Sequence, residues 1–502
     1  MSQLTAHPST LPPSPPRTPR DPGPASVFVP ISPGFRALVL SGFGAYLVAV
    51  GFLAFFTGQS STVWIFLALS LNVVLLSLPF LLRQQRLGWT HPVVLHVLLT
   101  FVTAHLVRTP LYVRGLDYHL ALPDFGRQGL AELVAYQLLL SALALVAYYV
   151  GFGSGVAPRV PGWQFATPRR IGFKALLVLA VAGFVFLLYL RSQGGVASHL
   201  LSWVELGRVD AIRGEGHWLR ISRLGAFAVL IWFAFEPEAL KRPLFLGAAA
   251  TAMAINFLGS GSRSSVVYLL VIGTLIWMMR RRRLAPVRSM VVVLLCLVLL
   301  ASLGRLRRGL FQGEVDWGTL VSTGVTDSLG DAVDELLYRY GTLDSIYPVL
   351  ARVPDESPLL LGRSYLTVVA LPVPRAVWPD KPGTPGKMAG ELFYGVRAGI
   401  PPGAAGEAFW NLHLPGVVFL YLLFGIFHRF AARFVERHRD QPAAVTLFAL
   451  TVYWSQPSVT AIAEWTFSIA SILVLLWLCG ALRLRRSRTH RALAQPLDPR
   501  AA

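Results

Sequence analysis

Apolar residues run along this chain in blocks of about twenty, parted by short polar breaks. A block of that length is what a helix needs to cross about 30 Å of hydrocarbon. The pattern predicts about twelve membrane helices, near 36–56, 61–82, 91–107, 128–150, 171–190, 220–236, 243–259, 264–279, 288–304, 411–427, 442–458 and 462–482. The predicted fold class is therefore an all-α polytopic integral membrane protein. Residues 1–34 read as a Pro-rich tail, with LPPSPPRTPRDPGP from Leu11 to Pro24, a composition that cannot build a core. Helices one to nine occupy 35–304, a large loop fills 305–410, the last three helices occupy 411–482, and a basic tail covers 483–502.

Composition agrees with this reading. Of the 502 residues, 54% are hydrophobic and only 14% charged, against roughly a quarter charged in soluble domains. A soluble enzyme and a disordered chain are excluded. Cys296 and Cys479 both fall inside apolar runs, so no disulfide framework is expected.

Charge then orients the bundle. With both termini on the cytoplasmic side, the inner segments carry the whole formal charge of +20 and the outer segments sum to zero, as expected where Lys and Arg collect on the inner face. The runs Arg280–Arg283, Arg169-Arg170 and Arg483 to Arg491 dominate. They are read as topology signals and as contacts to anionic membrane lipids, so no nucleic-acid partner is expected.

The outer side holds the candidate chemistry. Most connections are short, whereas 305–410 is long, and loops of that length are usually functional. A shorter outer loop, Arg191 to Trp218, contains Arg208 and Arg213. Within the long loop, Pro372 to Pro382 reads PVPRAVWPDKP, four prolines in eleven residues, which makes a stiff stretch with pre-set backbone angles. It carries Arg375, Trp378, Asp380 and Lys381, and Lys387 follows. Arg offers a planar fork for phosphate oxygens and Lys a point charge, while Trp offers a face for a sugar ring. Arg363 is a further cation of this loop. The alternative is a surface loop resting on lipid head groups.

A second cluster, Gly259 to Ser265 (GSGSRSS), forms a tight outer turn that puts Arg263 at the start of a helix, a position suited to an anion. An Arg reaching to the membrane interface is the competing account. The third runs from Gly406 to His413 (GEAFWNLH), with Glu407 and Asn411 four apart on one helical face. Glu407 and His413 are candidate proton-transfer groups, with Trp410 beside them as a surface for an acceptor sugar. Glu407 could equally be a first-turn acid favoured by the helix dipole. Glu464, near the outer end of the last helix, is a weaker candidate. No His-x3-His pair, Cys-x2-Cys, Walker loop or dinucleotide fingerprint occurs, so neither a metal nor a nucleotide cofactor is expected.

Taken together, a Gly-Ser-Arg turn opening a helix, the loop motif Pro-Arg-x-x-Trp-Pro-Asp-Lys-Pro, and Gly-Glu leading into a helix with His-Leu-Pro-Gly resemble the Wzy-type O-antigen or oligosaccharide repeat-unit polymerases. The specific features span roughly Ala254 to Phe427. The resemblance implies a GT-C-type glycosyltransferase of the bacterial cytoplasmic membrane. It also implies an undecaprenyl-diphosphate-linked oligosaccharide as substrate, with a flippase and a chain-length regulator as partners. Under it, Arg263, Arg375 and Lys381 would contact the diphosphate, Glu407 would be the base with Asp380 its rival, and His413 a supporting contact. An Arg-x10-Gly pattern of some relatives is matched by Arg375 and Gly386. Neither Arg208 nor Arg213 has Gly at that spacing. O-antigen ligases share the architecture. A secondary transporter is the alternative from another class, predicting broken helices and polar residues at mid-membrane. A structural component of a glycan-export complex is a third.

Overall fold

The computed structural model describes residues 27–57, 62–82, 87–109, 112, 122–156, 159–205, 216–260, 264–283, 291, 345–370, 373, 377–378, 383–396, 399–454 and 456–483. Its helices are α1 (Pro33–Thr57), α2 (Thr62–Leu81), α3 (Pro92–Thr100), α4 (Leu122–Gly153), α5 (Ile171–Ser192), α6 (Val196–Glu205), α7 (Gly216–Ser222) and α8 (Leu224–Phe235). Then come α9 (Pro243–Ser260), α10 (Ser264–Arg281), α11 (Ile346–Arg352), α12 (Arg363–Ala370), α13 (Pro385–Tyr394), α14 (Gly403–Arg437), α15 (Pro442–Tyr453) and α16 (Val459–Leu478). Among the described residues, eight helices are long and apolar enough to cross a membrane, and two shorter apolar helices, 92–105 and 442–453, stand among them. The protein is an all-α polytopic membrane protein. Every predicted run except 288–304 coincides with a helix, and that run lies outside the described residues apart from Val291.

Local chemistry sets the helix ends. Ser458 caps α16, its hydroxyl accepting from Ala461 N–H at 3.2 Å, so this helix starts earlier than the apolar run alone predicts. It stops at Leu478 because Gly480 adopts φ 73°. Gly480 N–H then donates to Trp477 O and Ala481 N–H to Leu476 O, the paired bonds of a Schellman end. The chain continues as a two-residue strand, β2 (Leu482–Arg483), antiparallel to β1 (Gln164–Phe165).

That pairing belongs to one end of the bundle, where the cations collect. Lys174 Nζ donates to Cys479 O at 2.6 Å, Arg437 to Val160 O at 2.8 Å, and Arg282 to Asp440 at 2.9 Å. Arg281 pairs with Glu238 in the 3-10 turn Pro237–Lys241. We call this the basic end. The expected Pro-rich tail gives way here to packed chain before α1 begins. Val27, Phe28 and Val29 are buried, and Trp89 N–H donates to Val29 O at 2.7 Å. Three consecutive apolar residues next to the bundle are better buried than solvated.

Two helices form the spine. The long helices α4 and α14 cross where Gly151 and Gly425 face each other's backbone. A Cβ added at Gly151 would fall on the Leu422 carbonyl, and one at Gly425 on the Tyr148 carbonyl. Small residues allow this approach, as they do in membrane bundles generally. At the opposite end, the described part of 305–410 is helical and not an open loop. In α11, Ile346, Tyr347 and Val349 are buried against α4 and α14. Arg352 fixes it to Asp124 at 2.9 Å. The buried apolar positions of α11 explain why this part of the loop packs.

Candidate functional site

The site begins with a broken helix. Within α14, Leu412 and His413 leave helical geometry, His413 at φ 57° and ψ −148°, and Pro415 follows. Proline has no N–H to return to Asn411 O, so carbonyls near the break need other partners. Leu360 N–H donates to Trp410 O and Leu361 N–H to Asn411 O, both at 3.0 Å. The chain before α12 is thereby tied to α14, and its turn through Leu361 (φ 47°) and Gly362 (φ 82°) is left-handed.

Asn411 completes the junction. Its Oδ1 accepts from Gly362 N–H at 3.0 Å, and its Nδ2 donates to Ser364 Oγ and to Glu407 O, both at 2.7 Å. Glu407, one turn back and only 1% exposed, uses Oε2 to accept the Val459 N–H at 2.7 Å. A carboxylate at the first residue of α16 favours the helix N-terminus. Glu407 therefore joins α14 to α16, while Asn411 joins α14 to α12.

Tyr365 lies beside this junction. Burial, and then the negative charge of Glu407 and the neighbouring Tyr421, push its phenol well above the ordinary tyrosine range. Its hydroxyl is buried without a hydrogen-bond partner among the described residues. Thr367, on the same helix and 1% exposed, likewise has a buried hydroxyl without a partner among the described residues. The arrangement combines a buried carboxyl, a protonated phenol and a fixed amide, groups able to move a proton and to hydrogen-bond a polar substrate. It lies at the end away from the basic residues.

The sequence-derived residues separate here. Glu407 and Asn411 come together as described. His413 sits at the break with its ring 4.2 Å from Phe409, and among the described residues no hydrogen bond joins it to Glu407. Arg363 opens α12 and is exposed. Trp378 is 41% exposed. Asp380, Arg375, Lys381, Arg263, Arg208 and Arg213 lie outside the described residues. Trp410, expected as a surface for an acceptor sugar, is 1% exposed, as Glu407 is, and packs 5.4 Å from Phe393 in the core under α13. Lys387 lies on α13 and pairs with Glu391 at 3.6 Å, because Pro385 starts a helix at that point. Gly386 meets Pro401 Cα, with 3.2 Å for an added Cβ, and its carbonyl accepts from Ile400 N–H at 2.9 Å. Glu464 is held by Arg223 at 3.0 Å, and Arg220 stands over the Phe467 ring at 5.4 Å. Tyr365 and Ser364 were not singled out from sequence, although they directly follow Arg363.

Comparison with protein-family models, with curated protein sequences and with solved structures finds no match. The geometry and the sequence motifs therefore carry the functional argument alone.

Proposed function

We propose that this protein polymerises lipid-linked oligosaccharide repeat units at the outer face of the bacterial cytoplasmic membrane. In this reading the bundle has about twelve spans of GT-C type, the basic end faces the cytoplasm, and both termini lie there. The observation that supports it most is the Glu407 carboxyl, buried at the α14–α16 junction beside Tyr365, on the end away from the basic residues. The loop motif with Arg375, Trp378, Asp380 and Lys381 lies between α12 and α13 in the chain.

The chemistry needs little more. An acceptor sugar hydroxyl attacks the anomeric carbon of the donor, and its oxygen forms the new glycosidic bond. The bond to undecaprenyl diphosphate breaks with its electron pair leaving on the phosphate. Glu407 takes the hydroxyl proton on Oε1 while Oε2 stays with Val459 N–H, and Asp380 is the rival base. Arg263, Arg375 and Lys381 take up the charge that develops on the diphosphate. Arg363, Arg208, Arg213, Trp378 and His413 line the approach of the glycan.

The test is deletion of the gene followed by analysis of surface polysaccharide. A single capped repeat in place of a ladder supports the proposal, free lipid-linked polymer points to a ligase, and unchanged glycan removes both. Complementation with Glu407→Gln keeps an oxygen for Val459 N–H and should slow polymerisation at least about a hundredfold, the usual size of a general-base effect.

A second reading, a solute or glycan transporter, draws support from the helix break at Leu412–His413. Discontinuous helices are a feature of transporters. Purified protein in liposomes discriminates: transport moves substrate without lengthening it, whereas polymerisation lengthens lipid-linked repeats without any gradient.

A further inference from the structure

A groove of about 430 Å³ opens between α8, α9 and α10. Along α9 it runs from Phe245 to Met253 and along α10 from Leu269 to Trp277. Eight residues of helix give it a length of about 12 Å, most of one leaflet of a bilayer whose hydrocarbon is about 30 Å thick. It starts at the basic end, since Leu240 of the 3-10 turn closes one side.

The lining tells what can occupy it. Its one hydroxyl, Thr274, already donates to Leu270 O at 2.7 Å, and apart from the Trp277 indole the lining side chains are hydrocarbon or thioether. A cavity with apolar walls does not hold water well. At Gly273 an added Cβ would meet nothing within 4 Å among the described residues, so the described wall is open there. The occupant should be a hydrocarbon chain.

The rim tells what the chain is attached to. Arg280 follows Trp277 by three residues and Arg281 follows Thr274 by seven, so both continue the groove stripe of α10. Lys241 follows Leu240. Lys241 and Arg281 share Glu238, and Arg242 pairs with Glu236 at 2.8 Å. Asp440 also faces Arg280 but already pairs with Arg282 and Arg439, so cations still outnumber carboxylates at the rim. The Arg280 Nε is buried without a hydrogen-bond partner among the described residues. An anionic group just beyond the hydrocarbon would supply one, in a charge-assisted contact.

We infer that this groove is a binding site for one anionic phospholipid of the leaflet at the basic end, with an acyl chain between α8, α9 and α10 and its phosphate at Arg280. The site is separate from the Glu407 junction and does not depend on the reaction performed there. A phospholipid held here fills the space between three helices and fixes their spacing.

Full-length protein, purified in detergent and returned to phosphatidylcholine nanodiscs with a trace of phosphatidylglycerol, tests this by mass spectrometry of retained lipid. The wild type should keep one phosphatidylglycerol. Gly273→Phe, which fills the groove, should lose it, and Arg280→Gln should lower the preference for phosphatidylglycerol over phosphatidylcholine about tenfold. Leu246→Ala, on the exposed face of α9 and outside the groove lining, should behave as wild type and shows that the helices tolerate change. The inference is overturned if the wild type keeps no phospholipid or keeps only a polyprenyl lipid. Undiminished retention by a well-folded Gly273→Phe protein would overturn it too.

Discussion

Asn411 and Ser364 are joined side chain to side chain, Nδ2 to Oγ, at 2.7 Å, across 47 residues of sequence that include the most chemically suggestive stretch of the chain. The same amide holds Gly362 N–H and Glu407 O, so one buried residue sets the position of α12 against α14. Asn411→Leu keeps the volume and strands these groups. Each buried polar group left without a partner costs about 1–3 kcal/mol. The variant should melt measurably lower in detergent and become more open to proteolysis between α12 and α13. Wild-type melting and wild-type proteolysis would show that the amide is dispensable.

Arg263 and Arg375 are proposed to contact the lipid diphosphate. A hydrogen bond to a charged group contributes about 1.5–3 kcal/mol, so Arg263→Ala and Arg375→Ala should each lower the polymerisation rate roughly tenfold to a hundredfold. Arg375→Lys should be impaired as well, because an ammonium does not reproduce the planar fork. Polymer length and yield on gels, normalised to protein level, decide the matter. Full-length polymer from both alanine variants would remove these residues from the site.

The α4–α14 crossing has no room for a side chain at Gly425. Gly425→Ala pushes a methyl group onto the Tyr148 carbonyl and the Phe152 amide, and overpacking of this kind costs about 1–3 kcal/mol. The expected result is lower yield of monodisperse protein and a lower melting temperature. Gly273→Ala, where space is open, is the control that should leave both unchanged.

His199, on α6 outside the spans, should make stability depend on pH. Its Nε2 lies 2.9 Å from Leu258 O, which can only accept, so Nε2 carries the hydrogen and Nδ1 accepts from the Tyr189 hydroxyl at 3.3 Å. Burial lowers the imidazole below its ordinary value of 6.5, opposed in part by the Leu258 carbonyl. The unfolded chain therefore takes up a proton more readily than the folded one. The stability from this contact is present above pH about 6.5 and is lost as the pH falls below it. Melting curves at successive pH values should show a steeper acid-side decline for wild type than for His199→Gln. Parallel declines would exclude the assignment.

Much of the fold was legible because length and hydropathy are strong signals for a membrane helix. Facing was not legible: α9, for example, is apolar on all sides, so its sequence does not say that Phe245 and Met253 line a groove while Leu244 and Leu246 are exposed. Glu407 and Asn411 could be read as one face from their spacing. Their partners could not, since Val459 and Ser364 are about fifty residues away and are brought near by tertiary packing. The packing of Trp410 was hidden for a related reason. Aromatic residues outside the apolar runs read as a ligand surface, whereas α11 and α13 give this segment a core of its own.

Phe28 rests against Phe448, their rings 5.9 Å apart, and against His91 at 4.8 Å. One of these partners follows Phe28 by 63 residues and the other by 420. The seat for the N-terminal segment is therefore incomplete until α15 has been synthesised, and closing so long a separation carries a high entropic cost. Assembly cannot proceed strictly from first helix to last. Docking of Phe28 must wait for α15, and it reports whether these two distant segments have come together.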